Sequence, residues 1–115
     1  MSKQGELFQR HIAFFNQGVQ SGDFGPMLEQ FTDDSELLFE GIPVGPFRGK
    51  AAIAAAYAAQ PPDDEIEVLE THEQQGKILA AYAWRAKPGK HAGEMIITPA
   101  GNKIARLLVR YGLKG

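Results

Sequence analysis

The spacing of the apolar residues changes near residue 64 of the chain. Before this point, apolar side chains recur at steps of three and four residues, which is the period of one face of an α-helix. After it, they alternate with polar side chains, as in the segment EIEV at residues 65–68, which is the period of a β-strand. Helices that precede a run of strands usually pack on one face of an antiparallel sheet, so the sequence predicts an α+β fold.

Three helices are expected in the first half of the chain. Residues 7–19 carry apolar side chains at helical spacing, and Gly22 ends this helix because glycine readily adopts the left-handed conformation of a helix C-terminus. Asp23 can cap a short second helix that has Pro26 in its first turn and the apolar residues of segment 27–31 on its buried side. Residues 50–60 (KAAIAAAYAAQ) are rich in alanine, the best helix former, and predict the third helix.

Five strands are expected, joined mostly by turns that contain glycine. After a turn at residues 32–35 (TDDS), the short apolar run at residues 36–40 (ELLFE) predicts the first strand. Residues 41–49 (GIPVGPFRG) contain three glycines and two prolines, so we expect an irregular loop beside a pocket or a sheet edge. Four further strands, paired as hairpins with their neighbours, are predicted at residues 65–71, 77–85, 91–98 and 103–111.

The composition limits the size, location and partners of the protein. With 115 residues, 43% of them apolar, residues 1–115 are expected to form a single domain. The chain has no cysteine, which excludes disulfides and thiolate sites and agrees with a cytoplasmic location. Twelve Lys and Arg against fourteen Asp and Glu leave a net charge of -2 and no basic run, so nucleic acid is not an expected partner. The longest apolar stretch, residues 51–59, is too short to span a membrane, and the first eleven residues lack an apolar signal core, so no membrane contact is expected.

An ordered series of short motifs resembles the nuclear transport factor 2-like superfamily, in particular its ketosteroid isomerase-like and SnoaL-like branch. The resemblance spans nearly the whole chain. It implies a cystatin-like cone, in which a curved antiparallel sheet wraps around the three helices and leaves a pocket open at one end. It also implies a homodimer formed through the sheet face. The motifs are SGD at 21–23, ML at 27–28, FTDD at 31–34, PVG at 43–45, RGKAAI at 48–53 and GNKI at 101–104.

This chain has only some of the catalytic residues that the resemblance implies. Ketosteroid isomerases use a carboxylate base, together with a tyrosine and a protonated carboxylic acid that stabilise the intermediate. The tyrosine position falls at Phe15, which has no hydroxyl, whereas the protonated acid falls at Glu94. The base falls at Phe39 or near Ile42, depending on which motif anchors the count, and Glu40 lies between these two positions. A true ketosteroid isomerase is therefore not expected.

Three residues are candidates for a catalytic role. Glu40 ends an apolar run, where a partly desolvated carboxylate can act as a general base, but it can equally be a solvent-facing residue at a strand end. The location of the Glu94 side chain depends on which face of its strand points inward, and the resemblance favours a position in the pocket. His11 lies at the shoulder of the apolar stripe of the first helix, where it can serve as acid, base or donor or can bind a backbone carbonyl.

Aromatic residues are candidates for contact with the ligand. We expect Phe15, Phe39, Tyr57 and Trp84 to line the pocket, although core packing is an alternative role for Tyr57. Tyr82 and Trp84 alternate with alanines, so their rings share one face of a strand, and that face either lines the cavity or meets a partner chain.

The remaining polar patterns predict a surface and no metal site. Because side chains alternate along a strand, Arg106 and Arg110 share a face of the last strand with Ile104 and Leu108, a pattern typical of a half-exposed sheet face or of a dimer interface. The spacing His91-x-x-Glu94 places the two side chains on opposite faces of a strand, so no metal is predicted, and no cofactor is expected.

Two functions remain open at this point. The first is a pocket protein that binds a small, apolar, oxygenated molecule and catalyses a proton transfer on it, such as isomerisation, dehydration or cyclisation, through Glu40, Glu94 and His11. In that mechanism Glu40 takes or relays the proton, Glu94 donates a hydrogen bond to the developing oxyanion, and His11 assists. The alternative is a module of the same fold that binds a ligand or dimerises without catalysis.

Overall fold

The computed structural model describes residues 3–111, with side chains described for residues 5–111. The predicted α+β class is confirmed. The three helices are α1 (Lys3–Ser21), α2 (Gly25–Leu28) and α3 (Lys50–Ala59). The six strands are β1 (Phe31–Glu40), β2 (Phe47–Arg48), β3 (Ile66–Gln74), β4 (Lys77–Trp84), β5 (His91–Ala100) and β6 (Lys103–Tyr111). None of the helices in the described part of the chain is long and apolar enough to cross a membrane.

The six strands form one curved sheet that does not close. Their order is β2-β1-β6-β5-β4-β3, so β2 and β3 are the two edges. Neighbouring strands are antiparallel, with the exception of β1 and β6, which run parallel in the middle of the sheet. The sheet is therefore mixed, whereas the sequence predicted an antiparallel one.

The helices cover the concave face of the sheet, and the hydrophobic core lies between them. Helix α1 buries Leu7, Phe8 and Phe15 on one side, as its helical spacing predicts. Asn16 on the same helix makes two hydrogen bonds with the backbone of Ile66: its Nδ2 donates to the Ile66 carbonyl at 3.1 Å, and its Oδ1 accepts from the Ile66 N–H at 2.7 Å. These two bonds fix the helix to the edge strand β3.

The second and third helices differ in how much they contribute to the core. Helix α2 has four residues with Pro26 in its first turn, and the Asp23 carboxylate accepts the N–H of Gly25 at 2.9 Å. Phe31, which the sequence placed on this helix, instead begins β1 and pairs with Ile104. Helix α3 lies against β1 and β2, and Ile53 is its one fully buried side chain in the described structure.

Irregular pairing decides which side chains of β1 and β6 face inward. Residues 32–35, predicted as a turn, belong to β1, and the register with β6 shifts between Phe31 and Glu36. A second shift lies between Thr98 and Pro99 in β5, opposite the start of β6. As a result Ile104 is fully buried, while Arg106 is exposed on the outer face. The expectation of uninterrupted alternation along the last strand is therefore wrong at Ile104.

Candidate functional site

A cavity of about 510 Å³ lies between the helices and the concave face of the sheet. Its walls are mainly apolar, and most of the aromatic residues in the chain contribute to them. Exposed residues from the segment after β1 and from the segment after α3 mark its mouth. The four residues expected to contact a ligand all line it: Phe15, Phe39, Tyr57 and Trp84.

His11 brings a buried polar group to this cavity from helix α1. Its side chain is 1% exposed, and its ring meets the ring of Phe31 edge-on with centroids 5.8 Å apart. Burial lowers the pKa of His11 to about 4, so the imidazole is neutral near pH 7. Its Nδ1 atom has no hydrogen-bond partner among the described residues. An unpaired buried nitrogen is costly unless a ligand satisfies it, which makes His11 a candidate ligand contact.

Two tyrosines meet over a glycine on the opposite wall. Tyr82 of β4 pairs directly with Gly93 of β5, which in turn pairs with Tyr111 of β6. A Cβ atom on Gly93 would overlap the carbonyl oxygen of Arg110 and lie 3.2 Å from Cε1 of Tyr82. Because this position has no side chain, the ring of Tyr82 can lie across the strand. Tyr82 also packs edge-on against Trp84, with centroids 5.5 Å apart.

The hydroxyl groups of these tyrosines are protonated donors. Burial raises the pKa of Tyr82, and the neighbouring Tyr111 phenol raises it further. Burial also raises the pKa of Tyr111, as well as that of Tyr57 on α3. The Tyr82 and Tyr111 hydroxyls interact, but their geometry is not that of a hydrogen bond, and the buried Tyr82 hydroxyl has no such partner in the described structure. It is the second unpaired polar atom in the cavity wall.

Charged residues lie towards the mouth of the cavity. Asp63 and Lys87 are exposed, and Asp64 is half-buried. The Asp64 carboxylate accepts the backbone N–H groups of Glu65 at 2.8 Å and Ala86 at 3.1 Å, so it holds two segments of the rim together. Away from the rim, the polar groups are a neutral imidazole and protonated phenols, an environment that favours a neutral ligand.

The two glutamates expected in the pocket lie on the outer face of the sheet. Phe39 and Met95 point into the cavity, so the neighbouring Glu40 and Glu94 point away from it. Both carboxylates lie near Arg110, at 2.9 Å from its Nε for Glu40 and 3.7 Å from its Nη1 for Glu94. Pairing of β1 with β6 is continuous up to Glu40, and no bulge turns this residue inward. Neither glutamate contacts the cavity, which corrects the positions expected from the sequence.

Sequence reasoning left Tyr82 undecided and did not single out Tyr111. Alternation along β4 shows only that Tyr82 and Trp84 share a face, and it does not say which face is buried. The row of Tyr82, Gly93 and Tyr111 in the folded sheet depends on the register shift between Thr98 and Pro99, because an unshifted hairpin would place Gly93 opposite Arg110. The local sequence pattern therefore does not show this row.

The outer face of the sheet carries an apolar row flanked by ion pairs. The row crosses four neighbouring strands in direct register, and its side chains are only partly buried. On one side of it lies the pairing of Glu40 and Glu94 with Arg110, and on the other Glu36 lies 3.0 Å from Arg48 and 3.7 Å from Arg106. We call the apolar residues the outer row: Leu38, Leu108, Ile96 and Leu79.

Comparison with known proteins agrees with this architecture. Residues 9–107 match the family model described as the SnoaL-like domain. No curated protein matches the chain significantly in sequence.

Several solved structures share the fold at low sequence identity. One is a protein from Kribbella flavida DSM 17836, provisionally named a ketosteroid isomerase, with a TM-score of 0.75, 9% identity and coverage of 98% of this chain and 80% of that chain. Another is a computationally designed 17-OHP binder, with a TM-score of 0.74, 18% identity and coverage of 98% and 93%. A third, from Sinorhizobium meliloti and provisionally named a polyketide cyclase, has a TM-score of 0.63, 23% identity and coverage of 86% and 92%. At these identities the likeness concerns the fold.

Proposed function

Since the chain belongs to the SnoaL-like domain family, we propose that it binds a neutral, apolar small molecule that carries oxygen in the cavity beneath its sheet. One observation carries this proposal: His11 and Tyr82 both line the same apolar cavity, and each has a buried polar atom, Nδ1 and the hydroxyl, without a hydrogen-bond partner in the described structure. Buried polar atoms are nearly always hydrogen-bonded in proteins, so two unpaired ones on residues that line one cavity favour a ligand that completes their bonding.

Three further features of the cavity fit the size, shape and charge of such a ligand. Its volume of about 510 Å³ lies in the range of small-molecule sites. Six aromatic rings line it in addition to those of His11 and Tyr82, and they offer flat apolar surfaces: Phe15, Phe39, Phe47, Tyr57, Trp84 and Tyr111. An anionic group would lose its hydration there without meeting a buried cation among the residues lining the cavity.

The finer proposal is proton-transfer chemistry, with isomerisation of an unsaturated ketone as its simplest form. His11 Nδ1 would remove a proton from the carbon next to the carbonyl, and the electron pair left behind would form an enolate. The Tyr82 hydroxyl would donate a hydrogen bond to the enolate oxygen, and His11 would return the proton to the γ carbon. Its low pKa keeps His11 unprotonated and able to accept the proton at neutral pH.

Ligand binding without catalysis is the second candidate. It is favoured by the position of Glu40 and Glu94, the two carboxylates that the resemblance suggested for the reaction, on the outer face of the sheet. In this case His11 and Tyr82 would fix the orientation of the ligand, and no bond would change.

We also propose that two copies associate through the outer face of the sheet, as the family resemblance implies. The outer row is a strip of partly exposed aliphatic side chains with ion pairs on both sides, which is the composition of an interface with an apolar centre and a polar rim. A cytoplasmic location remains part of the proposal, since a chain without cysteine needs no oxidising compartment.

Fluorescence titration with prodan, a neutral naphthyl ketone, tests the binding proposal. We expect saturable binding to the wild-type protein and about tenfold weaker binding to Tyr82→Phe, because this change removes a hydrogen bond to the ketone oxygen. Glu94→Gln is the matched control, and its affinity should equal that of the wild type. Equal affinity of Tyr82→Phe and wild type would remove Tyr82 from the site.

Turnover of a β,γ-unsaturated cyclohexenone separates the two candidates. If His11 is the base, His11→Gln should lower kcat by about 100-fold or more, while Glu40→Gln and Glu94→Gln should retain full activity. Prodan binding without turnover of any enone in a panel of ring sizes would favour the non-catalytic function.

A further inference from the structure

The segment that joins β1 to β2 is an exposed loop without a polar side chain. Residues 41–46 read GIPVGP, and all six are exposed. We call this segment the mouth loop. Loops at a protein surface normally carry polar residues, because their side chains face water. A loop made only of glycine, proline and aliphatic residues therefore indicates an apolar surface that it covers in some state of the molecule.

The apolar side chains of the mouth loop already border the cavity. Ile42 and Val44 are 37% and 40% exposed, and both line it. The described part of the chain has two other large hydrophobic residues that are similarly exposed, Val68 and Leu69 on β3, at 37% each. Neither of these is a cavity residue. The mouth loop is thus distinguished by being both exposed and continuous with the wall of the proposed site.

The backbone of the mouth loop is lightly held. Among the described residues, its one backbone hydrogen bond outside regular structure runs within the loop, from the N–H of Val44 to the carbonyl of Ile42 at 3.0 Å. Glycines with positive φ stand near both ends, Gly41 at +95° and Gly45 at +76°. A Cβ on Gly41 would lie 2.5 Å from the carbonyl oxygen of Tyr111, so this end of the loop passes directly over a cavity residue. Glycine pivots and few hydrogen bonds allow the loop to move at small cost.

We propose that the mouth loop closes over the bound ligand, and that Ile42 and Val44 pack on the ligand and control how fast it leaves. The inference rests on the proposed function, because it requires a ligand in the cavity. The occupant is the ligand and not a second copy of the chain, since both side chains belong to the cavity wall, whereas the outer row lies on the opposite face of the sheet. Closure would bury the exposed part of these two side chains, so their contribution appears as a slower dissociation.

Stopped-flow dissociation of prodan tests this inference. The double variant Ile42→Ser/Val44→Ser should release prodan about tenfold faster than the wild type, because it removes the apolar contact of the closed loop. The matched control Val68→Ser/Leu69→Ser removes two equally exposed side chains away from the cavity and should leave the rate unchanged. Far-ultraviolet circular dichroism and a thermal melt of each variant verify that both remain folded.

The outcomes distinguish the loop from the site. If the wild type binds prodan and the mouth-loop variant releases it at the wild-type rate, closure is overturned and the proposed function stands. If the wild type does not bind prodan, the proposed function fails and closure fails with it. Two other outcomes would assign the loop to another occupant and overturn the inference. In one, the wild type is a dimer and the mouth-loop variant is a monomer. In the other, the wild type binds phosphatidylcholine vesicles and the mouth-loop variant does not.

Discussion

At the scale of single residues, the burial and the protonation state of His11 could not be predicted from its position on the helix. The sequence places it at the edge of an apolar stripe, where acid, base and structural roles are all available. In the folded chain it is 1% exposed, beside Phe31, and its neutral form is favoured by burial. The cavity wall therefore contains an imidazole that is neutral near pH 7.

Burial of His11 predicts a loss of stability in acid. Above its ordinary pKa of 6.5, both the folded and the unfolded chain hold a neutral imidazole. Below that pH, the unfolded chain takes up a proton that the folded chain refuses until about pH 4, so the free energy of unfolding falls over this window, by about 3 kcal/mol in total. Urea unfolding at pH 7 and pH 4.5 should show this decrease in the wild type, and a decrease about 2–3 kcal/mol smaller in His11→Gln.

His72→Gln is the control for this prediction, because the His72 side chain is 69% exposed. It should retain the pH dependence of the wild type. If His11→Gln and the wild type show the same pH dependence, His11 is protonated at pH 4.5 in the folded protein as well as in the unfolded chain.

The positions of the two glutamates relative to the cavity were less predictable from the sequence than those of the aromatic residues. Phe15, Phe39 and Trp84 are large enough that burial follows from their type, and all three line the cavity. Glu40 and Glu94 end up outside because of strand facing, a property that a shift of one residue reverses. The residue type of Glu40 and Glu94 therefore did not predict which face of the sheet they occupy.

At the scale of elements, the hydrophobic period and the turn residues suffice to predict the helices and the four strands after residue 64. Strands β4 and β6 match their predicted ranges to within one residue at either end. The start of β1 was not predicted, since TDDS at residues 32–35 has the composition of a turn, and its pairing with a distant strand outweighs that local preference. Register shifts in β1 and β5 are likewise invisible in the local pattern.

The row of Tyr82, Gly93 and Tyr111 gives a prediction at this scale. Gly93→Ala should lower the free energy of unfolding by about 3 kcal/mol or more, because the added methyl group meets the backbone of β6 and the ring of Tyr82. Chemical denaturation measures this change, and prodan titration should show weaker binding in the same variant.

Gly101→Ala is the matched control for the strand glycine. Gly101 lies in the turn before β6 with φ of +62°, and open space surrounds its missing Cβ. Its replacement should cost only the strain of the left-handed conformation, about 1 kcal/mol. Equal costs for Gly93→Ala and Gly101→Ala would show that the strands separate enough to accommodate a side chain, and that Gly93 does not position Tyr82.

At the scale of the whole molecule, the ordered series of motifs predicted the family, and this prediction is confirmed by the match of residues 9–107. The fold followed from it, because the resemblance implied a curved sheet wrapped around three helices. The dimensions of the cavity did not follow. They depend on the curvature of the sheet and on which rings meet across it, and these are properties of the assembled strands.

Association through the outer row is tested by inserting a charge into it. Leu108→Glu places a carboxylate in the middle of the apolar row, where burial in an interface would be costly, so the dimer should dissociate. Light scattering coupled to size exclusion should report twice the 12.6 kDa of one chain for the wild type and the single-chain mass for the variant. Leu69→Glu, at the exposed edge strand β3, should remain dimeric. A monomeric wild type would refute the proposed assembly.

The parallel pairing of β1 with β6 has a consequence for how the protein is made. Arg110 of β6 donates a hydrogen bond to Glu40 of β1, and 70 residues separate them along the chain. A ribosome adds about 5–20 residues per second, so β1 is synthesised several seconds before its central partner. During that time the apolar side of β1, with Leu37 and Phe39, has no sheet to join. Molecular chaperones that shield extended apolar segments should therefore engage the nascent chain between the synthesis of β1 and that of β6.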